Sequence, residues 1–201
     1  MKKRKSTAET ENKTPIKVVL FDLIHIGRFC IMEYSPEEYT RYYIVQALFK
    51  LMSEYEYDKI NVSDIARKAG VGRSTFYRYF KNKEDVIVFY FEHNAKEFQI
   101  SQRFLPRCKE DYIEIATLVF TLFKKNKEPI NLLKNAHLEG LYLDYLNNNF
   151  VRLFENDNET ANHYQAYLYA GMLFNVSMAW LKNDCEGSIT DLANTVINAI
   201  M

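Results

Sequence analysis

The 201 residues suffice to bury a full core, and a composition of 48% hydrophobic and 26% charged residues is that of an ordinary globular protein. Only 6 Gly and 4 Pro interrupt it, so long helices are expected. The formal net charge is zero, which argues against a protein that coats nucleic acid indiscriminately. Cys30, Cys108 and Cys185 are odd in number, far apart and without a second Cys or His at metal-ligand spacing, so reduced thiols in a cytoplasmic protein are expected, with no metal site.

In chain order, Met1 to Thr14 are polar, with a basic run from Lys2 to Lys5, and are expected to be disordered. The run Ile16, Val18, Val19, Leu20 and Phe21 suits a short strand or an added helix, and periodicity does not choose between them. Asp22, His25 and Arg28 break this apolar stretch, so neither an export signal nor a membrane span is expected. Everything after Met32 fits a compact domain better than what precedes it. One expectation is therefore that translation begins at Met32, which the intact mass of the natural protein decides. Residues 1–34 are set apart as a disordered or irregular extension.

Ser35-Pro36-Glu37-Glu38 places a hydroxyl at N-cap, Pro at N1 and Glu at N3, which predicts a helix running to about Tyr55. Its inward face would hold Tyr43, Ala47, Leu48, Leu51 and Met52. A short second helix is expected from Val62 and Ser63, with Ser63 as its cap and Ile65, Ala66 and Ala69 turned inward, stopping at Gly70. After the turn Gly70-Val71-Gly72, a third helix spans Arg73 to Phe80, and Asn82 caps a fourth whose first turn carries Glu84 and Asp85. Further helices are predicted over Glu110 to Lys125, Pro129 to Asn135, Glu139 to Phe154, Thr160 to Asn183 and Ser188 to Ile200. Pro106, Pro129 and the polar run Glu155 to Glu159 are expected breaks, and Ser188 with Asp191 reads as a capping box. The fold class is all-α, with a three-helix domain over 35–82 and a helical domain over 83–201.

Two short helices around a tight glycine turn give helix-turn-helix geometry, in which the second helix offers its exposed face to the major groove of DNA. Charge agrees with this: Lys59 to Lys83 contains seven basic residues (Lys59, Arg67, Lys68, Arg73, Arg78, Lys81, Lys83) against Asp64 alone. Val71 and Phe76 are expected to plug the corner between the helices, which leaves Arg73, Ser74, Thr75, Tyr77 and Arg78 outward. Those side chains bring hydrogen-bond donors, a methyl group for thymine and aromatic surface. Lys83 and Ser63, each at a helix start, are placed to hold a phosphate. Phe76 and Phe80 read as core, and Arg67 with Lys68 as a solvated face.

The block Ile65-Ala66, Ala69-Gly70-Val71, Thr75-Phe76-Tyr77, Tyr79-Phe80 and Asn82-Lys83-Glu84 resembles the DNA-binding module of the TetR family of bacterial regulators, over about Ser35 to Tyr90. That resemblance implies a homodimer that binds a palindromic operator, most often as a repressor. It assigns Arg73, Ser74, Thr75 and Tyr77 as base or backbone readers and Ser63, Tyr79 and Lys83 as phosphate contacts, while the family varies at the position of Arg78. The segment His163 to Asn183 resembles the penultimate helix of a TetR-like subgroup that includes regulators related to the dihydroxyacetone kinase operon activator. This implies a dimer interface built from the last two helices, with Ala170 and Gly171 permitting close approach, and a small-molecule effector that the sequence does not identify.

The aromatics beyond Tyr90, from Phe98 to Trp180, recur at helical spacing and read as core. His93, His137 and His163 are far apart in the sequence and not in one predicted helix, so no metal is expected. No nucleophile elbow, phosphate loop or paired-carboxylate motif is present, so no catalytic residue and no cofactor are assigned. The rival classes are a helical interaction module that does not bind DNA, which salt-dependent duplex binding discriminates, and an enzyme on a helical scaffold, for which turnover would have to be found.

Overall fold

A computed structural model describes residues 35–96, 106–155 and 163–201. The segment 1–34, with the basic run, the apolar run, Cys30 and Met32, lies outside them, as does the predicted helix start at Thr160. Secondary structure among the described residues is entirely helical: α1 (Pro36–Met52), a 3-10 turn (Tyr57–Lys59), α2 (Val62–Lys68), α3 (Arg73–Tyr79), α4 (Lys83–Lys96), α5 (Lys109–Lys125), α6 (Lys127–Asn135), α7 (Gly140–Glu155), α8 (His163–Leu181) and α9 (Ile189–Asn198).

The helix starts follow their caps. Ser35 Oγ accepts from Glu38 N while Glu38 accepts from Ser35 N, as predicted, and Asn82 Oδ1 accepts from Asp85 N at 2.8 Å. The cap of α2 differs from expectation. Asn61, not Ser63, closes it: Asn61 Oδ1 accepts from Asp64 N and Asp64 Oδ2 accepts from Asn61 N. Asn61-x-x-Asp64 is a complete reciprocal pair, and it leaves Ser63 one position inside the helix. At α9 only half of the expected box is made, Ser188 Oγ accepting from Asp191 N. Pro129 does not break the chain but sits in the first turn of α6, where its missing N–H would have had no helical partner.

Helix α2 ends in a Schellman motif, with Val71 N donating to Ala66 O, Gly70 N to Arg67 O, and Gly70 at φ +70. The same device ends α6, where His137 takes φ +56 and Leu138 N donates to Leu133 O. His137 is thus a helix-ending residue, and no group of metal-ligating side chains is found among the described residues.

Helix α1 packs on α2 and α4, α2 on α3, α4 on α7, α7 extensively on α8, and α5 on α8 and α9. Ile44, Leu48, Ile65, Phe76, Val86 and Ile87 are fully enclosed and join the first four helices into one core. Burying one such side chain contributes about 1.5–3 kcal/mol. Helix α1 stops at Met52, short of Tyr55, and Tyr43 faces outward with 43% of its surface exposed. Among the later aromatics, Tyr164 and Tyr167 are exposed rather than core. Ala170, expected at a subunit contact, is buried inside its own subunit, whereas a side chain at Gly171 would meet only open space. Cys108 and Cys185 are free thiols.

Candidate nucleic-acid interface

Phe76 anchors α3. Its ring is wholly buried, 5.8 Å from that of Phe80, which is itself buried at the end of the helix. With that side held, Arg73, Ser74, Tyr77 and Arg78 are exposed and Thr75 and Tyr79 half-exposed. Tyr77 keeps 51% of its surface in solvent while its ring edge rests on Phe76, so the phenol projects from a fixed base. Ser63, on α2, is also exposed.

The positive charge of this region is not evenly available. Lys59 pairs with Glu56 at 2.7 Å, Arg67 with Asp64 at 2.6 Å, and Lys68 lies 3.9 Å from Glu54. Among the described residues, Arg73, Arg78 and Lys81 have no acidic partner, and all three are exposed. Unneutralised cations therefore gather on α3 and the residue just beyond it, where they raise the local potential for a polyanion. Lys81 was counted in the basic stretch but not placed in the site; its position beyond the end of α3 is what makes it relevant.

Lys83 is held differently from the others. Its half-buried Nζ donates to the carbonyls of Tyr57 at 2.9 Å and Ile60 at 2.8 Å and lies 3.9 Å from the centroid of the Tyr57 ring. The Tyr57 hydroxyl in turn donates to Glu84 Oε1 at 2.6 Å. Burial, then this bond to Glu84, pushes the Tyr57 phenol well above its ordinary value, so it remains a donor. Lys83 and Glu84 thereby tie the start of α4 to the turn between α1 and α2. An ammonium has three hydrogens, and the two carbonyls take two of them.

The geometry as a whole is that of a helix-turn-helix module: a short, cation-bearing helix is propped outward on a buried aromatic, in a helical frame. Comparison with known proteins narrows this. Residues 44–88 match the model of bacterial regulatory proteins of the tetR family. A fatty acid metabolism regulator protein of Bacillus subtilis is 33% identical over 102 residues, 51% of this chain and 45% of that protein. The dhaKLM operon transcriptional activator DhaS of Lactococcus lactis is 40% identical over 58 residues, 29% of this chain and 31% of that protein. The matched stretch thus spans less than half the length of either relative. In three dimensions, Lin0861 of Listeria innocua shares the fold with a TM-score of 0.67 at 18% identity, over 81% of this chain and 89% of that one. Over residues 44–88 the chain is thus similar to bacterial regulatory proteins of the tetR family, and over most of its length it shares their helical fold.

Proposed function

We propose that the chain is a cytoplasmic, ligand-responsive transcriptional repressor, without enzymatic activity, that binds a palindromic operator as a homodimer through its last two helices. The observation that carries this reading is the pairing of a fully buried Phe76 with exposed Arg73, Ser74, Tyr77 and Arg78 on the same two turns of α3. In it, Arg73, Ser74, Thr75, Tyr77 and Arg78 meet base edges or backbone. Ser63, Tyr79 and the remaining Lys83 donor meet phosphates.

The outer surface of α8 supports a two-fold partner. Ala166, Ala170, Leu173 and Ser177 are buried within the subunit, while Tyr164 and Leu168, one turn apart on the outside, are 76% and 65% exposed. A helix apolar on both sides is built to be covered on both sides. In this reading a second copy of the chain is that cover.

Response to a ligand follows from how the interior is filled. Between α4, α5, α6 and α7 lies a cavity of about 20 Å³, lined by Phe91, Asn94, Phe123, Asn126 and Tyr142 among others. That is room for about one water molecule. A larger effector entering there must push helices apart. Helix α4 is one wall of the cavity, and its first turn is bonded through Lys83 and Glu84 to the turn between α1 and α2, after which the DNA-binding helices follow. Release from DNA is then a difference in effector affinity between two helix arrangements.

Selection of bound sequences from random duplex DNA tests the reading. The expected result is a palindrome whose half-sites lie about one helical turn, roughly 34 Å, apart. A pool that shows no enrichment, and binding that does not fall with salt, would sink it.

A further inference from the structure

Arg41, on α1, is the cation that the sequence did not bring to the site and the structure does. Its guanidinium carbon lies 5.1 Å from the centroid of the Tyr79 ring, at the end of α3, and 5.5 Å from that of Phe89 on α4. No carboxylate among the described residues pairs with it, and its Nε is enclosed without a hydrogen-bond acceptor. A guanidinium held over aromatic rings keeps its full positive charge, because a ring quadrupole does not neutralise it as a carboxylate would. An unpaired cation held beside the reading helix lacks only an anion.

We infer that Arg41 is a phosphate contact, delivering a charge from α1 to the DNA backbone next to Tyr79. This rests on the regulator reading above and adds to it a residue outside the helix-turn-helix block. The two aromatic rings keep the guanidinium beside α3, and the half-buried side chain limits the entropy lost on binding. Lys83 already satisfies two carbonyls of its own chain, whereas Arg41 has no carboxylate partner among the described residues.

The test uses the full chain with a selected operator and an unrelated duplex, each titrated across salt concentrations. Arg41→Met keeps an unbranched stem over the rings and removes the charge, and Arg41→Lys keeps the charge. Losing one phosphate contact per subunit of a dimer makes the slope of log K against log salt shallower by about 1.8. The expected result is that loss for Arg41→Met on both duplexes, with Arg41→Lys retaining most of the wild-type slope. A wild-type slope for Arg41→Met overturns the inference and leaves the ring contact as a packing feature. Should Arg41→Met fail to fold, Arg41→Gln carries the same comparison. Wild-type chain that binds neither duplex removes the regulator reading and this contact together. A loss of binding for Arg73→Ala alongside an unchanged slope for Arg41→Met removes only the contact.

Discussion

Arg73 and Tyr77 stand one turn apart on the exposed side of α3, so each alanine substitution removes a proposed reader while leaving the buried Phe76 in place. Replacing either by Ala is expected to weaken operator binding by about 1–3 kcal/mol and to leave the dimer intact by sedimentation. Unchanged gel shifts for both variants would reject the assigned face. The caps offer a sharper check on local structure. Asn61→Ala should lower stability by about 1 kcal/mol in urea denaturation, because a backbone N–H of α2 loses its acceptor. Ser63→Ala, at an exposed interior position, should change it by less than about 0.5 kcal/mol. The reverse order would restore Ser63 as the cap. Lys83→Ala combines two losses: weaker binding to every duplex from the missing charge, and a lower melting temperature from two freed carbonyls.

Among the elements, α4 joins two packings through adjacent residues. Tyr90 packs edge-on against Phe49 of α1 at 4.7 Å, while the next ring, Phe91, stacks on Tyr145 of α7 at 5.5 Å. The Tyr90 hydroxyl donates to Asn126 Oδ1, at the junction of α5 and α6, where Asn94 Nδ2 also approaches within 3.4 Å. Asn126 Nδ2 donates to Leu122 O at 2.7 Å, so this buried amide is satisfied on both ends. Asn126→Ala leaves the Tyr90 phenol without its acceptor and is expected to cost about 1–3 kcal/mol in denaturant unfolding. It should also shift operator affinity, because it loosens the middle of the helix whose first turn is bonded to the reading module. Wild-type values for both measurements would show that this polar tie couples nothing.

For the whole molecule, the regulator reading requires two subunits in fixed register, since one three-helix module covers only a half-site. The outer surface of α8 is where that register is proposed to be set. Leu168→Glu places like charges opposite each other across a two-fold contact, and monomers are expected at micromolar concentration by sedimentation equilibrium. Helix content by circular dichroism should be unchanged, because Leu168 makes little of its own subunit's core. Persistence of the dimer would move the interface elsewhere.

The helix starts at Ser35 and Asn82, the glycine stop at Gly70 and the inward Phe76 were all legible in the order of residues. Each depends on neighbours within about one helical turn, and that range is what capping, turn chemistry and periodicity describe. Even the cap at Asn61 was visible as Asn61-x-x-Asp64, although Ser63 drew the reading away from it. Other features depended on residues far apart in the chain. Lys83 reaches Tyr57 across 26 positions, and only the packing of α4 against the turn after α1 reveals that two of its donors are taken. Arg41 comes beside α3 because α1, α3 and α4 meet around it, and Ala170 lies away from the proposed dimer contact because α8 turns it toward its own core. Local order determined which helices form and which one carries the residues proposed to read DNA. Tertiary contact decided which charges remain free to act, because a charge is neutralised by whatever folds against it and not by what precedes it in the chain.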